Sequence, residues 1–210
     1  MDVIRAIKGR RSINFFEPGK ELPDDLIREL LELASLAPSS MNLQPWRVIV
    51  VNDPERKKNL RKCAFNQPKV EEASAVLIMV ADPRSVEENL EKVLGSWLEL
   101  GYMKPEAVET YKGLAGTLYG TEDSLARRYF AVKNTALFAM NIMIAARGLG
   151  LETHPMDGFD EGAVKETFRI PEDKIVPMLI AVGYLKSGMT LLPRAYRKTF
   201  EDFVTFNSYR

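Results

Sequence analysis

The sequence predicts one mixed domain in which helices alternate with short buried strands. Three apolar runs have the length and composition of strands, and the segments between them repeat apolar residues at helical spacing. With 210 residues, 46% of them hydrophobic, the chain can bury one substantial core. It has no internal repeat and no linker rich in proline, serine or glycine, so we expect a single domain over residues 1–210.

Two helices, a strand and the start of a third helix are predicted in the first part of the chain. Asp2 is placed to cap a short helix, and residues 23–38 repeat apolar side chains at helical spacing. A polar loop then leads into a predicted strand at 46–51, after which Asp53-Pro54 opens the next helix.

The second strand, Ala75–Val80, is apolar throughout, which indicates burial on both faces. Residues 84–120 are predicted to form a helical excursion or lid, followed by a long central helix over Glu122–Arg147. The remaining predicted elements are a short strand at 151–153, a turn at 154–160, a helix at Glu161–Phe168 and a strand at Ile175–Val182.

The last segment, residues 193–210, is predicted to be an arm with apolar side chains. A short tail cannot bury the side chains of Phe200, Phe203 and Phe206 by itself, which suggests that they pack on a partner chain.

Composition excludes several classes of protein. Basic and acidic residues both number 29, and this neutral balance argues against nucleic-acid binding. Cys63 is the single cysteine, so no intrachain disulfide forms, and we interpret it as a small, partly buried filler in a reducing compartment. The N-terminus lacks a signal-peptide core, and the apolar run 135–146 is too short to span a bilayer. We therefore expect a cytoplasmic protein without a membrane partner.

Familiar catalytic motifs are missing. No G-x-G-x-x-G follows a strand, no phosphate-binding P-loop motif occurs, and one histidine with one cysteine leaves no zinc ligand set and no Ser-His-Asp triad. The pairs Glu71-Glu72 and Glu87-Glu88 fall where solvated helix surfaces are predicted. We assign no catalytic acid, base or nucleophile, and infer that a cofactor carries the reaction.

Two groups of cations are candidates for binding an anion. Arg10, Arg11 and Ser12 follow the first helix, and Arg194 and Arg197 lie in the arm. Each group alone fits a solvated surface, since cations at a helix C-terminus favour its dipole. Together they fit a phosphate, which needs converging guanidiniums when no P-loop is present.

Three polar segments are candidates for lining a ligand, and each also fits an ordinary turn or loop. The first precedes Pro45-Trp46, the second precedes a buried strand, and in the third a glycine after the acidic residue suggests that backbone faces the ligand. Their members are Ser39, Ser40, Asn42 and Gln44; Asn66 and Lys69; and Pro155, Met156, Asp157 and Gly158. We interpret the lone His154 as structural.

These segments together resemble the FMN-dependent nitroreductase family. The resemblance rests on order and spacing over residues 2 to about 204, in Arg10-Arg11-Ser12, Pro38-Ser39-Ser40-x-Asn42-x-Gln44-Pro45-Trp46, Phe65-Asn66-x-x-Lys69 and Pro155-x-x-Gly158-Phe159-Asp160. It implies an α+β, three-layer α/β/α sandwich with a mixed central sheet. It also implies an obligate homodimer in which the C-terminal arm adds a strand to the partner's sheet, with two FMN molecules at the interface.

The resemblance also implies a role for each segment. Arg10, Ser12, Arg194 and Arg197 would hold the phosphate and ribityl chain, and Arg11, Asn14, Asn66 and Lys69 would face the pyrimidine side of the flavin. The backbone near Asp157-Gly158 would donate to flavin N5, Pro155 and Met156 would pack on a ring face, and the segment 39–44 would come from the other subunit or line the ring edge. Asn14 departs from the family, where this position is often basic.

The function implied is transfer of electrons from NADH or NADPH to nitroaromatic or quinone-type acceptors, with ping-pong kinetics. Protons would come from solvent, which fits the absence of a dedicated acid. The alternatives are a specialised enzyme of the same fold, such as a flavin reductase or reductive dehalogenase, and a flavin-binding protein without catalysis.

Overall fold

The structure is a computed structural model that describes residues 2–209. Its helices are arranged around a four-stranded sheet. Its strands are β1 (Trp46–Val51), β2 (Ala75–Ala81), β3 (Glu152–Met156) and β4 (Ile175–Gly183), in the order β1-β2-β4-β3 with antiparallel neighbours. Within the described residues, the one parallel pairing is an isolated bridge between Ser12 and Thr153, so the mixed character of the sheet is confined to its β3 edge.

Helices cover both faces of this sheet. They are α1 (Val3–Gly9), α2 (Asp24–Ser35), α3 (Pro54–Cys63), α4 (Pro68–Glu72), α5 (Ser85–Glu99), α6 (Val108–Tyr119), α7 (Leu125–Gly148), α8 (Glu161–Phe168) and α9 (Phe200–Phe203). Asp2 and Asp53 cap their helices as predicted, each accepting a backbone N–H three residues on. The long helix starts at Leu125, later than predicted, because the Ser124 hydroxyl accepts the Arg127 N–H and caps it there.

Alternate residues of β2 enter two different cores, as its unbroken apolar run predicts. Val76 and Ile78 pack with α3, α4 and α8, whereas Leu77 and Met79 pack with α2 and α7. Each of these four side chains is at most 2% exposed. The sheet is therefore the middle of three layers, and the α+β class implied by the resemblance is confirmed.

Strand β3 is longer than predicted, since it includes residues that the sequence placed in a turn. His154, Pro155 and Met156 pair with β4 opposite Ala181, Ile180 and Leu179. Pro155 is tolerated there because β3 lies at the edge of the sheet, where a missing N–H need not break a central ladder.

Helix α7 is the central helix of the layer that packs with α2 on one face of the sheet. Among the described helices, it is the one whose length and apolar composition would allow it to cross a membrane. Half of the apolar stretch that meets this criterion is buried inside the protein. It packs on α1, α2 and the sheet, and its polar Asn134 and Thr135 are buried with hydrogen-bond partners. Such burial is typical of a core helix in a globular domain.

Buried Arg127 of α7 fastens the excursion formed by α5 and α6. Its guanidinium donates to both carboxylate oxygens of Glu87 at 2.8 and 2.7 Å. It also donates to the carbonyls of Tyr119, Gly120 and Pro83. Glu87, assigned from the sequence to a solvated surface, is therefore half of the ion pair that joins α5 to α7.

We predict that Arg127→Ala destabilises the fold by roughly 2–3 kcal/mol, because it leaves a carboxylate and several carbonyls without their charged donor. Urea unfolding followed by circular dichroism measures this loss. The exposed neighbour provides a matched control, so Arg128→Ala should change the midpoint little. Equal midpoints for the two variants would contradict the role given to Arg127.

Candidate functional site

One edge of the sheet gathers most of the predicted ligand-binding residues. Residues 12–14 run along β3, with the Ile13 N–H donating to the Thr153 carbonyl at 3.2 Å. Ile13 is 1% exposed, and its burial turns the flanking Ser12 and Asn14 outward. An apolar anchor between two polar residues therefore presents both polar side chains on the outside of the sheet edge.

A cluster of guanidiniums lies at the start of this segment. Arg10 Nη1 donates to Ser12 Oγ at 3.3 Å, and Arg194 Nη2 donates to the carbonyls of Lys8 and Arg10 at 2.7 and 3.2 Å. Arg11 Nη2 donates to the Pro193 carbonyl at 3.4 Å. The two cation groups predicted from opposite ends of the sequence thus meet.

The cluster carries positive charge that its neighbours do not neutralise. Burial lowers the pKa of Arg10, and the like charges of Arg194 and Arg197 lower it further, with a smaller contribution from Arg11. The carboxyl of Glu152 opposes this effect. Because a phosphate would relieve the repulsion and accept the guanidinium donors, these residues fit an anionic ligand.

A second cationic point lies further along the same edge. Lys69 Nζ, from α4, donates to Asn14 Oδ1 at 2.8 Å and to His154 Nε2 at 3.1 Å. A cleft of about 300 Å³ opens beside this lysine and is lined by Asn14, Phe15, Gln67, Pro68, Lys69 and Glu72. The structure therefore brings Asn14 and Lys69 together, as the resemblance implied.

The exposed Asn66 lies in a left-handed turn at the entry to α4. Its φ is 58°, and its backbone is held on both sides by Arg61: the Asn66 N–H donates to the Arg61 carbonyl at 2.9 Å, and its carbonyl accepts from Arg61 Nε at 3.1 Å. Asn66 therefore lies two residues before α4 begins, at the end of the helix that carries Lys69.

The turn after β3 presents backbone, as the glycine at position 158 suggested. The Gly158 carbonyl accepts from Gln67 Nε2 at 2.6 Å, and within residues 2–209 its N–H has no hydrogen-bond partner. A Cβ at Gly158 would lie 3.1 Å from the same Gln67 nitrogen, so the close approach favours glycine. Met156 is buried in the core, which leaves Pro155, exposed Asp157 and the backbone to face a ligand.

The polar loop before Trp46 is a tightly bonded structure of its own. The Ser40 N–H donates to Asn134 Oδ1 at 3.0 Å, and the Gln44 N–H donates to Ser39 Oγ at 2.9 Å. Asn42 and Gln44 have left-handed backbones, with φ of 53° and 47°. A cleft of about 360 Å³ adjoins this loop and is lined by Asn42, Gln44, Trp46, Asn89, Lys92, Val93 and Ser96.

Within one chain this loop lies far from the guanidinium cluster. It precedes β1, at the opposite edge of the sheet from Ser12, so three strand spacings or roughly 14 Å separate the two edges. It also lies at the other end of the strands, since Trp46 pairs with Ala81 whereas Thr153 pairs with Val182. The two segments occupy diagonal corners of the sheet.

Two contributors to the β3 edge were missed or undervalued by sequence reasoning. Gln67 supports the turn at Gly158, and His154 contacts Lys69. Only position hinted at Gln67, which lies between Asn66 and Lys69 in the motif. No sequence signal could show either contact, because the partners are 91 and 85 residues apart.

Comparison with known proteins agrees with the fold and the motifs. The model of the nitroreductase family matches residues 7–184. YdgI of Bacillus subtilis, named as a candidate NAD(P)H nitroreductase, is 34% identical over 184 residues, covering 87% of this chain and 88% of its own. A protein of Thermus thermophilus named NADH dehydrogenase is also 34% identical over 184 residues, with coverage of 88% and 87%.

Solved structures extend this similarity. The structure of ydfN from Bacillus subtilis superposes with a TM-score of 0.89 at 30% identity and covers 97% of each chain. A protein from Exiguobacterium sibiricum, described as a nitroreductase in complex with FMN, has a TM-score of 0.84 at 28% identity, with coverage of 98% and 97%. The chain belongs to the nitroreductase family and is an oxidoreductase.

Proposed function

We propose that this protein is a cytoplasmic, homodimeric FMN enzyme that passes electrons from NADH or NADPH to nitroaromatic or quinone-type acceptors with ping-pong kinetics. The observation that carries the proposal is the line of groups along the β3 edge. The guanidiniums lie at one end, and Lys69 with the Gly158 backbone lies at the other. Residues 10–14 span roughly 13 Å if extended, which suits a ligand with an anionic tail and a ring.

Each group of residues has a distinct task in this proposal. Arg10, Ser12, Arg194 and Arg197 hold the phosphate and ribityl chain, and Arg11, Asn14, Asn66 and Lys69 face the pyrimidine edge of the ring. The Gly158 N–H would donate to the ring nitrogen, and Pro155 would pack on one face of the ring. When bound, FMN would supply reversible two-electron chemistry that no side chain here can supply.

Lys69 contributes to the electron chemistry through its charge. A fixed ammonium of Lys69 at the pyrimidine edge would stabilise the negative charge that a bound flavin carries there when reduced. Asn14 and His154 already hold Lys69 Nζ in place, so the charge is oriented before any ligand binds. Protons can reach an exposed ring edge from solvent, and the site therefore needs no dedicated acid.

A homodimer would explain why residues 39–44 and the guanidinium cluster lie at diagonal corners of the sheet. It would also explain the exposed apolar side chains of α1 and of the arm. Residues 39–44 lie at the corner of the sheet diagonal to the guanidinium cluster, which favours a ligand shared between two chains. Val3, Ile4 and Ile7 of α1 are 52–61% exposed, and in the arm Phe200 contacts Phe203 and Phe206 with little other cover. Such surfaces are typical of chains that pack against a partner.

For the phosphate role, we predict that Arg10→Ala weakens FMN binding by roughly 10- to 100-fold, the loss expected for one charged hydrogen-bonding group. Flavin content after purification and quenching of FMN fluorescence on titration both measure this. Wild-type protein should be yellow as isolated. Arg5→Ala is a suitable control because Arg5 is exposed on α1 and paired with Asp2. Unchanged retention by Arg10→Ala would count against the phosphate role.

For the shared site, we predict complementation between two impaired variants, Arg10→Ala and Gln44→Ala. In a heterodimer with one substitution on each chain, one site receives both substitutions and the other receives neither. Flavin-dependent turnover should therefore recover to about half of the wild-type value per dimer. Differently tagged, co-expressed chains allow the heterodimer to be purified, and absence of recovery would show that each site is built within one chain.

For the reaction, we predict that the holoprotein oxidises NADH or NADPH with a quinone or nitroaromatic, and that double-reciprocal plots give parallel lines. Steady-state absorbance of the nicotinamide measures both. A flavin-binding protein without catalysis would show no turnover. A flavin reductase or a reductive dehalogenase would turn over only with free flavin or a halogenated acceptor, so the acceptor screen separates these alternatives.

A further inference from the structure

His154, the only histidine of the chain, is engaged at both ring nitrogens. Its Nδ1 lies 2.7 Å from the carbonyl oxygen of Ile13, and its Nε2 lies 3.1 Å from Lys69 Nζ. A carbonyl only accepts, so Nδ1 carries the proton and donates. The neutral Nε2 then accepts from the ammonium, and a single tautomer satisfies both contacts.

These contacts fix a side chain that is otherwise flexible. A lysine ammonium has three donors at the end of a flexible four-carbon stem. Two of the Lys69 donors reach acceptors on different segments: Asn14, in the residues 12–14 that run along β3, and His154 of β3. The third is left for the cleft beside Lys69. The imidazole of His154 therefore fixes the direction of the Lys69 ammonium as well as contacting it.

The surroundings of His154 keep the imidazole neutral. Burial lowers its pKa, the facing charge of Lys69 lowers it further, and the hydrogen bond to Ile13 opposes these effects. Burial also lowers the pKa of Lys69. Residues 12–14 face the His154–Lys69 pair with the Ile13 carbonyl and the neutral side chain of Asn14. Helix α4 contributes Lys69 itself and Glu72, which lines the same cleft. One positive charge at this pair, rather than two, is the favoured state.

We propose that His154 is a positioning residue, whose neutral imidazole holds the Lys69 ammonium toward the pyrimidine edge of the flavin and raises the flavin's reduction potential through that lysine. The role rests on the FMN site proposed above. It departs from the structural role that the sequence suggested for this histidine, because the group it orients is an ammonium assigned to the flavin site.

The first test needs no cofactor. Since the chain has one histidine, its ring C–H resonance can be titrated by NMR in apoprotein without ambiguity. Lys69→Ala removes the facing charge, so the pKa of His154 should rise relative to wild-type apoprotein. Lys62→Ala, an exposed lysine of α3, is the matched control and should leave it unchanged. An unchanged pKa in Lys69→Ala would overturn the proposed contact.

The second test measures the flavin midpoint potential in a double-mutant cycle of the holoprotein. His154→Ala and Lys69→Ala should each lower the potential, and His154→Ala should have no further effect once Lys69 is gone. His154→Gln keeps an acceptor for Lys69 and should restore most of the shift. An equal effect of His154→Ala in both backgrounds would show a merely structural role.

The two tests fail in distinguishable ways. If FMN binds but the cycle shows no coupling, the role of His154 is wrong and the proposed function is not affected. If the NMR coupling is present but the protein binds no FMN, the proposed function is wrong, and the positioning role toward the flavin falls with it.

Discussion

The site depends on the pairing of residues 12–14 with the edge strand β3. Burial of Ile13 and its hydrogen bond to Thr153 hold this segment against the sheet. Alternation along an extended chain then directs Ser12 and Asn14 outward, beside Arg10 and Lys69 respectively. The same segment supplies the Ile13 carbonyl that selects the tautomer of His154. The apolar anchor Ile13 therefore sets the position of the guanidinium cluster, the orientation of Lys69 and the tautomer of His154.

This arrangement has an electrostatic cost in the absence of a ligand. Arg10 lies among three other guanidiniums, and the nearby Glu152 is itself buried, with a pKa raised by burial although Arg147 and Arg10 act in the opposite direction. One oxygen of Glu152 is buried without a hydrogen-bond partner among the described residues. A chain with no net charge thus concentrates positive charge at one edge of its sheet. Binding of an anion would recover part of that cost, so ligand affinity and stability are linked.

Sequence patterns predicted the elements whose periodicity is local. The apolar run of β2 and the helical spacing of α8 gave correct elements, and the four motifs gave residues that mostly lie on one edge. Strand β3 was underestimated because His154 and Pro155 have the composition of a turn, whereas pairing with β4 decides their conformation. The support from Gln67 and the position of residues 39–44 at the far corner could not be read from spacing, since both depend on how distant segments fold together.

The fold separates the β3 edge from the polar cleft beside Gln44. The β3 edge is held to the sheet by the pairing of residues 12–14 with β3 and by hydrogen bonds of Lys69 and Gln67. The excursion joins the core through Arg127 and through a buried apolar cluster that includes Val86, Tyr119 and Phe130. Its helix α5 lines the polar cleft beside Gln44, where Lys92 is the one lining cation among the described residues. Changes along α5 can alter that cleft without disturbing the β3 edge. The cleft beside Gln44 and the β3 edge can therefore change independently within one chain.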